Sequence, residues 1–136
     1  MELFGRKNFG DKLKEKQEKV QLKIQGEFSK TTEILKVMGI DLDGVEFALR
    51  AHPVSLTSVT RPIWVIYPNK LVKVSGLPPA YSKESYLFSD IDSISISNEL
   101  IPNIALRCKG RYLTFQADKL HATYFTDLVN EKLQMK

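Results

Sequence analysis

Short alternating apolar runs, followed by one amphipathic helix, constrain the fold of this chain more than any other feature. Seven runs recur at strand spacing, at residues 45–51, 62–67, 71–74, 86–88, 91–96, 104–108 and 112–115. After Asp118, which is a residue type that caps helix N-termini, apolar residues follow helical spacing instead. Antiparallel strands in succession with a final helix predict an α+β fold, in which the helix covers an open sheet edge or barrel mouth.

Residues 10–38 predict a helix ahead of these strands. The segment has no Pro, is rich in Lys and Glu, and repeats apolar residues at spacings of three, four and seven. Gly26 leaves open a division into two helices, and Gly39 provides a stop. Because only five of eight coiled-coil seam positions are apolar, docking on its own domain and pairing with another copy both stay open. The candidates for self-association are Leu13, Val20, Ile24, Phe28 and Leu35.

Turn-forming residues at 41–44 mark the boundary of the main domain. The chain has 136 residues, which suffices for one hydrophobic core with an appendage. We therefore predict a helical extension over residues 1–40 and a β-rich domain over residues 41–136. The first strand, at 45–51, alternates apolar and polar residues, which predicts a single buried face. Residues 76–80 contain two prolines and predict an irregular loop.

Composition and charge predict a cytoplasmic globular protein. Cys108 is the single cysteine, which excludes an internal disulfide and fits a reducing compartment. The first residues lack the apolar segment of a secretory signal, and no apolar run approaches the roughly 20 residues of a membrane-spanning helix. Of the net charge of +4, residues 1–38 contribute +3, through nine Lys or Arg and six Asp or Glu. This excess is either a solvated helix face or a weak footprint for an anionic partner.

The sequence carries no recognisable catalytic or metal-binding pattern. Gly-rich phosphate loops, paired cysteines and His-x-x-x-His spacing are absent, and the two histidines lie far apart. We therefore predict no enzymatic activity, no cofactor and no metal ion. The most basic compact feature is a hairpin with Arg107, Lys109 and Arg111, which are the candidate residues for an anionic ligand. Nucleic acid is not the expected partner, because basic and aromatic residues do not interleave repeatedly.

The order of these pieces resembles a pleckstrin-homology (PH) domain, in particular the YokE-like group of bacterial and prophage PH-like domains. Three stretches carry the resemblance: residues 64–74, residues 86–94, and residues 110–115 followed directly by the closing helix. The resemblance covers about residues 45–134. It implies a seven-stranded, antiparallel, partly open β-barrel that the C-terminal helix caps, and the N-terminal helical extension lies outside it.

The resemblance also implies a binding or assembly scaffold rather than a catalyst. Many PH domains bind phosphoinositides through several Lys or Arg on the first two strands, where this chain offers only Arg50 and Arg61. Lipid-headgroup recognition is therefore not carried over to this region. We expect a bacterial or prophage module that binds a protein partner or itself, the latter through the N-terminal helix. The alternative is a module that binds a lipid headgroup or nucleic acid through the 107–111 hairpin.

Overall fold

The computed structural model describes residues 9–53, 61–77 and 80–135. Within these residues the chain forms two α-helices and seven β-strands, and a single 3₁₀ turn at Phe88–Asp90 lies between the fourth and fifth strands. The helices are α1 (Phe9–Val37) and α2 (Lys119–Gln134). The strands are β1 (Phe47–Arg50), β2 (Ile63–Ile66), β3 (Lys70–Leu77), β4 (Ala80–Leu87), β5 (Ile91–Ile96), β6 (Asn103–Cys108) and β7 (Arg111–Gln116).

The strands form two antiparallel sheets. Sheet A contains β1 to β4 in chain order, and sheet B contains β5 to β7 in chain order. No ladder joins the two sheets within the described ranges, so they do not close into a barrel. The predicted α+β class is confirmed, with one helix before the two sheets and one helix after them.

β3 and β4 form a hairpin that extends beyond the rest of sheet A. Residues 70–77 pair with residues 80–87 in unbroken register, whereas β2 pairs only with residues 71–74. The predicted irregular loop is wrong at residues 76, 77 and 80, which belong to the strands, and residues 78–79 lie outside the described residues. The sequence did not reveal most of β4 because its side chains are largely exposed, so no apolar alternation marks it.

α1 is one continuous helix, and a glycine just beyond its last residue, Val37, terminates it. Gly26 lies within it and does not divide it. Gly39 has a φ of +75°, and its N–H donates to the Lys36 carbonyl at 3.0 Å. The Ile40 N–H donates to the Leu35 carbonyl, also at 3.0 Å. These two bonds form a Schellman motif, which satisfies carbonyls of the last helical turn and confirms the predicted stop.

The C-terminal half of α1 packs on the outer face of sheet A. Leu35 is fully buried there, in a cluster with Ile40, Ala48 and Val65. Ala48 lies on the face of β1 that the sequence pattern assigned to solvent. The prediction of a single buried face is therefore wrong, because α1 covers the second face. Of the two arrangements left open for this helix, docking on its own chain is the one observed.

The larger core lies between the two sheets and beneath α2. Inner-face side chains of both sheets meet there, among them Trp64 and Ile104. α2 covers this core with Phe125 and Val129, which are fully buried. α1 reaches the same core through Ile24. One continuous α1 thus contributes to the apolar clusters on both faces of sheet A, while the domain boundary between residues 40 and 41 stays a prediction.

Both helices carry charged and polar residues along their exposed sides. Among the residues that the structure describes, neither helix has a stretch long and apolar enough to cross a membrane. An ion pair of 2.7 Å between Lys132 Nζ and Glu46 Oε2 links the last turn of α2 to the chain just before β1. The C-terminal helix is therefore fixed to sheet A as well as to the core.

Candidate functional site

Sheet B leaves part of the inner face of sheet A uncovered. Leu49, Trp64, Lys73 and Glu84 lie side by side on this face, one on each strand from β1 to β4. Leu49 and Trp64 are buried, whereas Lys73 is half-buried and Glu84 is exposed. The change from apolar to charged side chains shows where the cover by sheet B ends. The β3–β4 hairpin therefore forms a shelf beside the core, which we call the β3–β4 shelf.

The turn between β6 and β7 sets the direction of the backbone groups of β7. Lys109 and Gly110 have φ values of 52° and 78°, the positive angles that a two-residue type I′ turn requires. The predicted tight hairpin is thus confirmed. The residues that flank such a turn form a hydrogen-bonded pair, and hydrogen-bonded pairs alternate along an antiparallel ladder. The N–H and C=O groups of Tyr112 and Thr114 therefore point away from β6.

This outer edge of β7 is occupied at its far end. The Gln116 carbonyl accepts a hydrogen bond of 2.8 Å from the His52 N–H, just after β1. Within the described part of the chain, no strand pairs with the rest of the edge. Among the described residues, the backbone groups of Tyr112 and Thr114 therefore have no pairing strand. An unpaired edge of this kind is a template for an extended segment of another chain.

A cleft of about 320 Å³ separates the start of β7 from the β3–β4 shelf. Glu84 and Tyr86 of β4 line one side, and Arg111 and Leu113 of β7 line the other. We call it the Tyr86 cleft. Cys108 also lines it, and burial raises the pKa of the Cys108 thiol. A thiol with a raised pKa is a poor nucleophile, so this residue packs as a small apolar group.

The Tyr86 hydroxyl donates a hydrogen bond of 2.5 Å to Glu84 Oε2. Burial, and then this hydrogen bond, raise the pKa of Tyr86 to about 12. In an alkaline titration followed by phenolate absorbance, we expect a late transition at about pH 12 that Tyr86→Phe removes. Glu84→Gln should lower this pKa only in part, because burial is the larger cause. A late transition that survives Tyr86→Phe would contradict this assignment.

A second cleft, of about 240 Å³, lies where β7 crosses β2 and β3. The rings of Trp64 and Phe115 stack there with centroids 4.4 Å apart and an interplanar angle of 16°. Tyr86 stacks on Trp64 from the shelf side, at 6.0 Å. Lys73 Nζ lies 5.7 Å from the centroid of the Trp64 ring. We call this the Trp64 cleft, and four polar residues also line it: His52, Asn103, Thr114 and Gln116.

The Trp64 indole N–H is buried and makes no hydrogen bond within the described part of the chain. A buried donor without an acceptor costs about 1–3 kcal/mol. No Asp or Glu belongs to the described lining of the Trp64 cleft, whereas Glu84 and Asp90 line the Tyr86 cleft. The two clefts therefore differ in the charges of their described lining: the Tyr86 cleft has side chains of both signs, and the Trp64 cleft has one lysine.

The structure separates the three basic residues of the predicted anion site. Lys109 and Arg111 belong to the described lining of the Tyr86 cleft, and Arg107 does not. Arg107 Nε lies 3.9 Å from Asp92 Oδ2, and Lys109 Nζ lies 3.6 Å from Asp90 Oδ2. Each of these two cations thus has a carboxylate beside it. The hairpin offers an anionic ligand less positive charge than its sequence indicates.

The structure places the helix candidates for self-association against the chain's own cores. Ile24 and Leu35 are 5% and 0% exposed. Val20 and Phe28 are half-buried and pack on the same cores. The side chain of Leu13 lies outside the described residues. A second copy of the chain can therefore reach Ile24 and Leu35 only if α1 leaves its own core.

Arg50 and Arg61 line a third cleft, of about 260 Å³, where β1 ends. Arg61 donates hydrogen bonds to the carbonyls of Ala51 at 2.9 Å and of Arg50 at 3.2 Å. These bonds tie the chain before β2 to the end of β1. Glu27 and Asp118 also line this cleft, so it holds carboxylates as well as the two arginines. The hydrogen bonds of Arg61 explain that residue as part of the fold.

The apolar run at residues 62–67 predicts a strand and does not reveal that Trp64 borders a cleft. One signal was available: Lys73 interrupts an apolar run and pairs directly with Trp64 across β2 and β3. A charged residue beside a core residue on the same face indicates that the core ends there. The direction in which the N–H and C=O groups of Tyr112 and Thr114 point could not be predicted from composition, because it depends on the type of the preceding turn.

Two comparisons with known proteins give no relative. No protein-family model matches this chain, and no curated protein matches it. The PH-like resemblance therefore stays a prediction. The function has to be inferred from the geometry of β7, the β3–β4 shelf and the two clefts.

Proposed function

We propose that this chain is a non-catalytic, PH-like protein-binding module that takes up an extended segment of a partner protein along β7. The observation that carries the proposal is an edge of β7 with which no described strand pairs, beside the β3–β4 shelf. The incoming strand would pair with Tyr112 and Thr114 and lie over the β3–β4 shelf. Sheets of four and three strands followed by a helix support the PH-like part of the proposal.

When a strand is added to a sheet edge, affinity and specificity come from different groups, and this site has both kinds. Main-chain hydrogen bonds to an edge hold many sequences, and pockets for alternate side chains select among them. The two clefts contact opposite ends of β7: Arg111 and Leu113 line the Tyr86 cleft, and Thr114 and Gln116 line the Trp64 cleft. A strand of about six residues spans roughly 20 Å, enough to reach both clefts.

A second copy of this chain is a poorer occupant of the edge than a segment of a different protein. Leu113 and Phe115, the inward side chains of β7, already pack on the inter-sheet core. If two copies paired β7 with β7, these side chains would stay in their own cores and would leave the clefts unfilled. An unstructured segment has side chains free to enter both clefts, and the partner is therefore an extended peptide.

A peptide selection with an exchange readout tests the proposal. The full chain is used to select binders from a phage-displayed library of random nonapeptides, and the selected peptides are synthesised. We expect hydrogen exchange of the Tyr112 and Thr114 amides, followed by NMR, to slow at least about tenfold on binding, because both amides become paired. The amides of β4, the free edge of sheet A, serve as the internal control and should not change.

A matched pair of variants checks the same edge. Thr114→Pro removes the outward N–H and should abolish binding, whereas Thr114→Val keeps that N–H and should retain it. Pro is tolerated on an edge strand where the N–H faces away from the neighbour, and the melting temperature verifies folding. The proposal is wrong if no peptide is selected, or if the peptides protect β4 instead. A dimer that protects Tyr112 and Thr114 without peptide would also contradict it.

A further inference from the structure

We infer that the Trp64 cleft binds a carboxylate of the incoming segment, either an Asp or Glu side chain or the C-terminal carboxylate. This inference rests on the proposed function, because the segment that lies along β7 brings the carboxylate to the cleft. It names a chemical class for the partner: an extended peptide with an acidic group near the Gln116 end of β7.

The first observation is a buried donor with no acceptor among the described residues. Trp64 is 2% exposed and lines the cleft, and its Nε1 is the donor. Its ring stacks on those of Phe115 and Tyr86, with centroid distances of 4.4 Å and 6.0 Å. A fixed N–H that lacks a partner is suited to an incoming oxygen, because little side-chain entropy is lost when the bond forms.

The second observation is a lysine whose charge has no carboxylate partner. Lys73 makes no ion pair with a residue in the described part of the chain, and its Nζ lies 5.7 Å from the Trp64 ring centroid. Glu84, its direct cross-strand neighbour, accepts the hydrogen bond from the Tyr86 hydroxyl instead. The ammonium group therefore lies over the indole ring, and no described carboxylate forms an ion pair with it. An ammonium group is among the donors that a carboxylate accepts from most strongly.

The third observation is the charge of the surroundings. The described lining of the Trp64 cleft has Lys73 and no Asp or Glu, and Gln116 adds an amide group, while Asn103 Nδ2 donates to Glu99 Oε2 at 3.4 Å. In the Tyr86 cleft, Glu84 and Asp90 lie with Lys109 and Arg111. An acidic group is therefore attracted to the Trp64 cleft and meets carboxylates in the other. This difference also sets the direction in which an acidic segment lies along β7.

The single tryptophan of the chain gives a direct test. The full chain is titrated with N-acetylglycine, which presents a C-terminal carboxylate, and with the α-amide of N-acetylglutamate, which presents only the side-chain carboxylate. We expect the one indole N–H signal in the ¹⁵N–¹H spectrum to move downfield and to saturate at millimolar concentration. N-acetylglycinamide and sodium chloride at equal ionic strength are the controls, and neither should give a saturable shift.

Two lysine variants separate a specific role from a general charge effect. Lys73→Met should weaken carboxylate binding about tenfold, as expected for the loss of a charged hydrogen-bond partner. Lys70→Met is the matched control, because Lys70 also lies on β3 and over an aromatic ring, with Nζ 5.3 Å from the Tyr67 centroid. It removes the same charge away from the Trp64 cleft and should leave binding unchanged.

The peptides selected for β7 complete the test. In one set of peptides, a single Glu or Asp is replaced by its amide, and in another the C-terminus is amidated. The change that weakens binding about tenfold identifies the source of the carboxylate. If the peptides protect β7 but the indole signal is insensitive to both changes, the carboxylate assignment is wrong and the proposed function stands. If small carboxylates shift the indole while no peptide protects β7, the proposed function is wrong instead. Equal effects of Lys73→Met and Lys70→Met would also overturn the assignment.

Discussion

Leu35→Ala is expected to lower the free energy of unfolding by about 2–5 kcal/mol, the range for truncating a fully buried leucine. Leu35 is 0% exposed and packs between α1 and the outer face of sheet A, beside Ala48 and Val65. The sheet cannot collapse into the space that the side chain leaves, since its strands are held by their ladders. Urea denaturation of the full chain measures the change as a lower midpoint.

Val37→Ala is the control for this effect. Val37 lies two residues later on the same helix and is 81% exposed, so its truncation should change stability by no more than about 0.5 kcal/mol. Similar effects of the two substitutions would show that α1 does not dock in solution as it does here. Stability of the wild-type chain that rises with protein concentration would point instead to α1 pairing between copies.

Trp64→Ala is expected to cost about 3–5 kcal/mol, toward the lower end of that range. The ring loses its stacking on Phe115 and Tyr86 and leaves a cavity between the sheets. The loss is reduced because the substitution also removes an N–H that is buried without an acceptor. Thermal and urea unfolding measure the effect, and near-ultraviolet circular dichroism reports whether the remaining aromatic packing persists.

Tyr112→Ala provides the comparison on sheet B. Tyr112 is 66% exposed on the outer face of β7, so its removal should cost less than about 1 kcal/mol, the span of strand propensity. A Trp64→Ala variant as stable as Tyr112→Ala would mean that Trp64 does not connect the two sheets. Trp64→Phe, which keeps an aromatic ring, should lie between the two in stability.

Strands with one buried face were predictable from the sequence because apolar residues alternate along them. β5 and β6 place Ile94 and Leu106 inside as the pattern required. β4 was not predictable, because its residues Tyr81 to Ser85 are polar and the strand depends on pairing with β3 for its position. For β1, the sequence pattern predicted only one of the two buried faces. The other face, with Ala48, is covered by a helix that is distant in sequence.

The candidate site was less predictable than the fold, because it consists of an edge and two clefts that exist only once the strands have assembled. The two-residue turn at Lys109 and Gly110 could be read from a glycine in a short gap. The carboxylates beside Arg107 and Lys109 come from β5 and the turn before it, so only the folded chain shows them. A free edge depends on how many strands a sheet has, which no local sequence pattern contains.

The two sheets end in edges of different character. β4 carries Lys83 and Glu84 in its middle, and charges there discourage pairing with a foreign strand. β7 has no charged residue between Tyr112 and Gln116, and its β-branched and aromatic side chains favour pairing. We therefore expect an extended foreign segment to choose β7 and not β4, even where both edges are within its reach.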